Sequence, residues 1–377
     1  MNKPKRILIS GASIAGPVLA FWLNKYGFEV TLIEKAPRPR PGGQAIDVRG
    51  KALEILARMG VLSGARELRT QMKGVSLQDA DGNETWRSEE RTLSGGRFEN
   101  GDVELLRDDL AKLLLDRIQG VQVIDIRYGT SILSLDERAE GICATMQDGN
   151  KRIYDLVVGA DGLHSNVRAL VFGEESQFLR SLDLGLAVFS SPNILGLRDW
   201  QIAFRDDQGG YCVYTARENS ELRIAVGFRA TMEDERRGSV REQKALVADR
   251  CVGFRWEMPK LLKYMDAATD FYFGVAAQIC MEYWSKGRVA LVGDAAYCPS
   301  PFSGQGTSLA IVGAYVLAQE LSGSEKGHAA AFERYETRMR PYVLINQALA
   351  LRDQARDRDA TYSDEQIDAA KNAIELD

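Results

Sequence analysis

The sequence predicts an α/β protein: a Rossmann-like parallel-sheet domain, a second, mainly antiparallel sheet, and helices toward the C-terminal end. Three observations carry that expectation. A strand–turn–helix–strand unit with a glycine-rich turn opens the chain, two later strands run into paired Gly and Asp, and the residues between those two strands change to short alternating β-type runs. At 377 residues the chain is long enough for two domains and a sizeable core.

Composition narrows the chemistry before any motif does. Lys and Arg total 48 against 53 Asp and Glu, a net charge of −5 that gives no reason to expect nucleic acid or an anionic membrane as partner. With histidine only at His164 and His328, no His-rich metal centre can be built, and a Ser-His-Asp triad has two candidates at most. The five cysteines are scattered without a C-x-x-C pair, the pattern of reduced thiols in a cytoplasmic protein. Lys3, Lys5 and Arg6 precede an uncharged run over 7–23 that imitates a signal peptide, but Gly11, Gly16 and Pro17 break it and it is short for a membrane span.

Residues 6–10 (RILIS) read as a short buried strand. Gly11-Ala12-Ser13-Ile14-Ala15-Gly16 follows, then a helical run to about Tyr26, a stop at Gly27, and a strand over 29–34 that ends at Glu34. The unit spans about 30 residues, the context in which a G-x-G-x-x-G-type turn holds a dinucleotide. Gly11 permits the tight turn, Gly16 lets helix and strand approach, and the helix start offers free N–H groups to a pyrophosphate. Ser13 stands at the middle glycine position, with a side chain small enough for backbone approach to phosphate. Glu34 can accept both ribose hydroxyls of an ADP moiety. This turn alone does not separate FAD from NAD.

Three later segments add contacts rather than a second nucleotide domain. In 104–110, Arg107 is a candidate for a phosphate or ribityl oxygen. In 154–168 (YDLVVGADGLHSNVR) a buried strand turns at Gly159-Ala160 and presents Asp161-Gly162 before a helix that begins with Ser165 and Arg168. In 287–306 (GRVALVGDAAYCPSPFSGQG) a strand leads to Asp294, and the turn Gly304-Gln305-Gly306 opens a helix over 307–321. Asp294 can bind ribityl hydroxyls, and amides at that helix start favour negative charge on a reduced ring.

Between 171 and 284 the β-type runs are 184–189, 201–205, 211–215 and 222–228, with few helices expected. In the last run Leu222, Ile224, Val226 and Phe228 share one face. Residues 329–357 carry a helical pattern that Pro341 is expected to kink or restart. The charge run 352–359 reads as a solvated face, and Ser363-Asp-Glu-Gln366 as a capping box opening a last helix to about residue 375.

Taken in order, these motifs resemble the single-component FAD-dependent aromatic monooxygenases, the para-hydroxybenzoate hydroxylase-like family, from residue 6 to about 341. The resemblance implies a glutathione-reductase-type FAD domain over 1–171 and 285–325, a substrate domain over 172–284, and terminal helices over 326–377 that bridge the two. It implies FAD held by Gly11, Ser13, Gly16, Glu34, Lys35, Arg49, Arg107, Asp161, Asp294, Pro301, Gly304, Gln305 and Gly306. NADPH or NADH would act as transient electron donor and O2 as co-substrate, the oxygen passing through a C4a-hydroperoxyflavin to an aromatic or polyketide substrate. No catalytic side chain and no metal is required, because the chemistry belongs to the flavin. Gln201, Phe228, Pro301 and Phe302 are the candidate substrate contacts, Arg205 a further one for an anionic substrate, and a monomer is expected. The segment GGQAIDVRG over 42–50, together with GDAAYCPSPFSGQG, is most similar to the tetracycline destructases, with related polyketide-tailoring hydroxylases sharing much of the pattern; a polyketide-tailoring or phenol hydroxylase, a flavin reductase and a non-catalytic FAD-binding ligand sequesterer are the alternative functions. Three positions depart from the family: Tyr297 stands where His is usual, and Ser308 and Gly313 where Asn and Asp are usual. The W-x-W-x-I-P segment of flavin halogenases is missing.

Overall fold

The computed structural model describes residues 4–39, 42–93, 96–97, 101–236, 239–324, 327–352 and 364–376. Two sheets organise them, and the α/β class read from the sequence is the one observed.

The first sheet has six strands in the order Ser285–Lys286, Val289–Leu291, Leu156–Gly159, Arg6–Ser10, Glu29–Glu34 and Ile124–Tyr128. All its pairs are parallel except the short outer one. Both faces are covered, which is why Ile7, Leu8 and Ile9 form an unbroken apolar run with no exposure. Helices Ala15–Lys25 and Gly306–Ser322 pack on each other, with the Trp22 and Tyr315 rings 4.8 Å apart edge to face. From Arg6–Ser10 the strand order departs in both directions, which opens a crevice beyond the strand ends, the usual ligand position in such sheets.

The second sheet has seven strands in the order Tyr272–Ile279, Leu179–Pro192, Glu221–Arg229, Gly209–Ala216, Gln201–Arg205, Val75–Gln78 and Glu84–Ser88. All pairs are antiparallel except Gln201–Arg205 with Val75–Gln78. Its last two strands come from residues 75–88, well ahead of the rest in sequence. One face carries Phe189, Phe204, Val213, Ile224, Val226, Phe228 and Phe273 into a core. Helices Val240–Arg250 and Met258–Ala267 bury Val247, Leu261 and Met265 in that core. Few helices were expected here. The first is so polar (VREQKALVADR) that little marks its apolar stripe, although Ser239 and Glu242 form a reciprocal capping box at its start.

The helix His328–Arg352 runs through Pro341 without restarting. Tyr335, Met339, Tyr342 and Val343 are buried on both sides of the proline, so packing outweighs the lost backbone hydrogen bond. A short helix, Asp364–Lys371, follows. The charge run 352–359 and the capping serine Ser363 lie outside the residues whose side chains are described. No described helix is long and apolar enough to cross a membrane, and all five cysteines are free.

Candidate functional site

Parallel register brings four distant loops to one edge. Ser10 is level with Ile33 and Gly159, and Gly159 with Leu291. Gly11, Glu34, Asp161 and Asp294 therefore emerge from the same side of the sheet. The helix starts at that edge are left open: Ile14 and Gln305, at the caps of Ala15–Lys25 and Gly306–Ser322, give no side-chain cap, and neither first turn holds an acid. Ser165, Thr231 and Ser239 do cap their helices. Free N–H groups and the positive helix ends are thus available to an anion.

The glycines are fixed by space. Gly11 has φ +108, and a Cβ there would lie 2.3 Å from the Ala160 carbonyl oxygen. A Cβ on Gly16 would lie 1.9 Å from the Gly11 carbonyl oxygen. Glu34 accepts hydrogen bonds from the Ala12 and Ala36 amides, both 3.0 Å, which fastens the turn to the end of the second strand. Lys35 stands exposed beside it. Arg107 donates to the Ser13 hydroxyl at 2.6 Å and packs its Cβ against Gly43, and its charge also reaches Asp294. Residues 13, 43 and 107 are therefore one cluster, with Asp294 within its electrostatic reach.

Asp161 accepts from the Ser165 hydroxyl and from the Val167 amide at 3.1 Å, so it organises the start of its own helix. Arg168, with no exposure, is the residue the sequence underrated. Its guanidinium donates to the Leu163 carbonyl (2.6 Å), the Ala295 carbonyl (3.0 Å) and Glu175 (2.9 Å), joining the Asp161 and Asp294 loops. Asp294 follows Gly293 at φ +66, and burial raises its carboxyl above the usual range, while the nearby Cys298 thiol donates to the Ala277 carbonyl at 3.6 Å.

His164, two residues after Gly162, bridges the two sheets' territories. Its Nδ1 is 3.1 Å from Glu175, and its Nε2 is 3.1 Å from Glu235 in the helix Met232–Glu235. The two carboxylates raise its pKa to about 9. Because the folded value lies above the unfolded 6.5, this bridge contributes fully below about pH 6.5 and is lost as pH rises through about 9. The melting temperature is expected to fall across that window in scanning fluorimetry, and His164→Gln to flatten the fall; an unchanged slope in the variant would count against the bridge.

Beyond Asp294, the turn Pro301–Ser303 leads to Gly304 at φ +62. Pro301 is exposed, while Phe302 packs near Leu182, Leu184, Ala276 and Ala350. Ser300 holds φ +79, a costly conformation for a non-glycine, with its hydroxyl toward the Phe302 amide. Arg49 lies against Gly304, its guanidinium 3.5 Å from where a Cβ would be, and its backbone amide donates to the Ser308 hydroxyl at 3.0 Å. The Tyr297 hydroxyl fills the space left by Gly313, where a Cβ would sit 1.9 Å away, and pairs with the Tyr335 hydroxyl at 3.0 Å. All three departures from the family pattern thus have structural roles here.

Facing this edge is the side of the second sheet that carries Gln201, Tyr214 and Arg223 in one cross-strand row and Ala203, Cys212, Ala225 and Tyr272 in the next. Tyr214 accepts from the Ala45 amide at 2.7 Å, and Tyr272 is within electrostatic reach of Arg107 and Asp294. Cys212, Ala225 and Gly227 keep accessible surface although their neighbours along each strand are buried. Burial nonetheless pushes the Cys212 thiol up to about 12. Deep yet accessible side chains describe a recessed chamber. Gln201 lies on this side, almost fully buried, its Oε1 accepting from the Leu93 amide at 3.0 Å. Phe228 does not. It is on the opposite face, stacked on Phe273 at 5.8 Å. Arg205 is exposed. Cys212 and Tyr272 are not among the residues singled out from the sequence, because alternation sorts a strand into two faces without saying which face meets the chamber.

The residues present fit an FAD. Gln305 is fully buried with neither Nε2 nor Oε1 hydrogen-bonded, one orphaned donor and one orphaned acceptor beside the Gly304–Gly306 turn. A ring edge with alternating N–H and C=O groups satisfies such an amide. The open helix starts suit a pyrophosphate, and the half-buried Asp294 suits polyol hydroxyls.

Comparison with known proteins agrees with this geometry. Residues 5–344 match the family described as FAD binding domain. A flavin-dependent monooxygenase from an unknown prokaryotic organism is 40% identical over 93% of this chain and 90% of its own length. The crystal structure of the tetracycline destructase Tet(55) is 37% identical with a TM-score of 0.87, covering 100% of this chain and 99% of that one. That of Tet(51) is 32% identical with a TM-score of 0.88, covering both chains fully.

Proposed function

Because the chain belongs to the FAD binding domain family and is a flavin-dependent monooxygenase, we propose that it oxygenates a tetracycline or a related fused-ring polyketide, using NADPH or NADH and O2. The observation that carries this substrate class is the likeness to tetracycline destructase structures along the whole chain, chamber sheet and terminal helices included. In this reading the protein works as a cytoplasmic monomer, where reduced nicotinamide is supplied.

FAD would be held by the 11–16 turn at its pyrophosphate, Glu34 and Lys35 at the adenosine end, Arg107 and Asp294 along the ribityl chain, and Arg49 with the 304–306 turn at the ring. Asp161 would support the same edge through the helix start that it organises. When bound, the flavin supplies electron transfer from the nicotinamide to oxygen and delivery of one oxygen atom to substrate. The chain's own part is electrostatic and steric. Arg49 and the open start of Gly306–Ser322 favour negative charge at the ring. Gln201, Pro301 and Phe302 would frame the substrate, while the second sheet excludes water from the chamber.

Two measurements test this. The purified protein is expected to be yellow, and its NADPH- or NADH-dependent oxygen uptake to rise strongly with tetracycline. Stimulation by simpler phenols alone would move the reading to a catabolic or biosynthetic hydroxylase, and no uptake with any of them would remove the enzymatic reading. Cys212→Phe adds bulk on the chamber side, not in the core. It is expected to raise the KM for tetracycline about 10-fold or more while leaving the flavin content of the purified protein unchanged; unchanged KM would place the substrate elsewhere.

A further inference from the structure

We propose that Lys371, on the last helix, is a positioning residue for Arg49 and through it sets the electrostatics of the bound flavin. This rests on the FAD reading of the 304–306 turn. Arg49 is 3% exposed, and its Nη2 is 3.0 Å from Asp47 and its Nε 3.9 Å from Asp102. On its other side it meets Gly304, as described above. Asp102 is as buried as Arg49 and accepts from the Lys371 ammonium at 3.2 and 3.3 Å and from the Gly50 amide at 3.4 Å. Two buried carboxylates and two buried cations thus run in series from the last helix to the turn.

Lys371 is inserted rather than resting on a surface. It is 4% exposed, and a Cβ on Gly50 would lie 2.4 Å from its carbonyl oxygen. Tyr342 and Asn346 donate to the Lys371 and Ala370 carbonyls at 3.4 and 3.0 Å, which fixes the end of the helix. An apolar side chain would dock a helix here without the cost of desolvating an ammonium. The ammonium lies between the exposed Asp368 carboxylate, 3.0 Å away, and Asp102, and of these two partners Asp102 is the one inside the protein. With that charge taken up, Asp102 stays 3.9 Å from Arg49 instead of closing on it, and the guanidinium keeps its place against Gly304. Removing Lys371 also subtracts one positive charge from the same buried cluster. Both changes make the turn less favourable to an electron-rich ring.

The test uses the full-length holoprotein and two readouts, the midpoint potential of bound flavin by dye-referenced reduction and FAD affinity by fluorescence titration of the apoprotein. Lys371→Met is expected to move the potential to a more negative value and to weaken FAD binding about 10-fold. Lys371→Arg is expected to restore both. The double variant Asp102→Asn/Lys371→Met, in which the net charge of the cluster is unchanged and no freed carboxylate remains, is expected to return the potential toward that of the parent. A Lys371→Met protein that melts lower but keeps the parental potential would make Lys371 a docking residue only and overturn the inference. So would a double variant at least as negative as the single one. A parent that binds no FAD would overturn the cofactor reading and this inference with it, and its lack of colour would distinguish that case.

Discussion

Gly313→Asp is expected to destabilise the protein by about 3 kcal/mol and to strip it of bound FAD. The space beside Gly313 is already taken by the Tyr297 hydroxyl, 1.9 Å from a Cβ position, and by the Met339 methyl at 3.3 Å. Tyr297 cannot withdraw. Its ring lies 4.6 Å from the Trp284 ring, its hydroxyl meets Tyr335, and Tyr335 donates to the Leu291 carbonyl at 3.1 Å. Any shift is transmitted along the one-turn helix Asp294–Tyr297 to the carboxylate at its start. Scanning fluorimetry and the flavin absorbance of the purified variant check this. The paired change Tyr297→His/Gly313→Asp, which restores the family's usual residues, is expected to recover most of the loss because the shorter ring vacates that space. A single variant melting within about 1 °C of the parent with full flavin content would refute the packing argument.

The second large effect is expected at Gly11. Gly11→Ala should yield a colourless protein destabilised by about 3 kcal/mol. The three atoms nearest its new methyl are all backbone: the Ala160 oxygen at 2.3 Å, the Ala160 carbon at 2.7 Å and the Asp161 Cα at 2.9 Å. No side chain can rotate away, so the ends of Arg6–Ser10 and Leu156–Gly159 must separate, and φ +108 is itself closed to alanine. Ser13→Ala, by contrast, removes only the hydroxyl that Arg107 binds at 2.6 Å, and is expected to retain FAD with modestly reduced affinity. Urea midpoints and flavin content of the two variants separate these cases. If both are equally yellow, the turn is not the cofactor's seat.

Much of the crevice edge was legible because its requirements are local. A turn at positive φ wants glycine, a strand end wants a short polar break, and both recur at Gly11, Asp161 and Asp294 in the sequence itself. What stayed hidden depends on pairings between distant residues. Arg168 was readable as a helix residue, yet its partner Ala295 lies 127 positions away. Phe228 shares its strand face with Leu222, Ile224 and Val226, but that face is the one covered by Val240–Arg250 and Met258–Ala267, and the polar sequence of the first of these helices gives little notice of it. Tyr297 and Gly313 each stood out as departures, and only the fold shows that one makes room for the other.

The parallel register of the first sheet has a consequence for biosynthesis. Glycine and acid loops at positions 11, 34, 161 and 294 share one edge, so the nascent chain carries the turn at Gly11 for most of its synthesis without the strand that ends at Leu291. The opening unit emerges from the ribosome first and can form early, but its mate across Gly159 arrives some 280 residues later. Such pairing is rich in long-range contacts and slow to close. Completion of that edge therefore waits for nearly the whole chain.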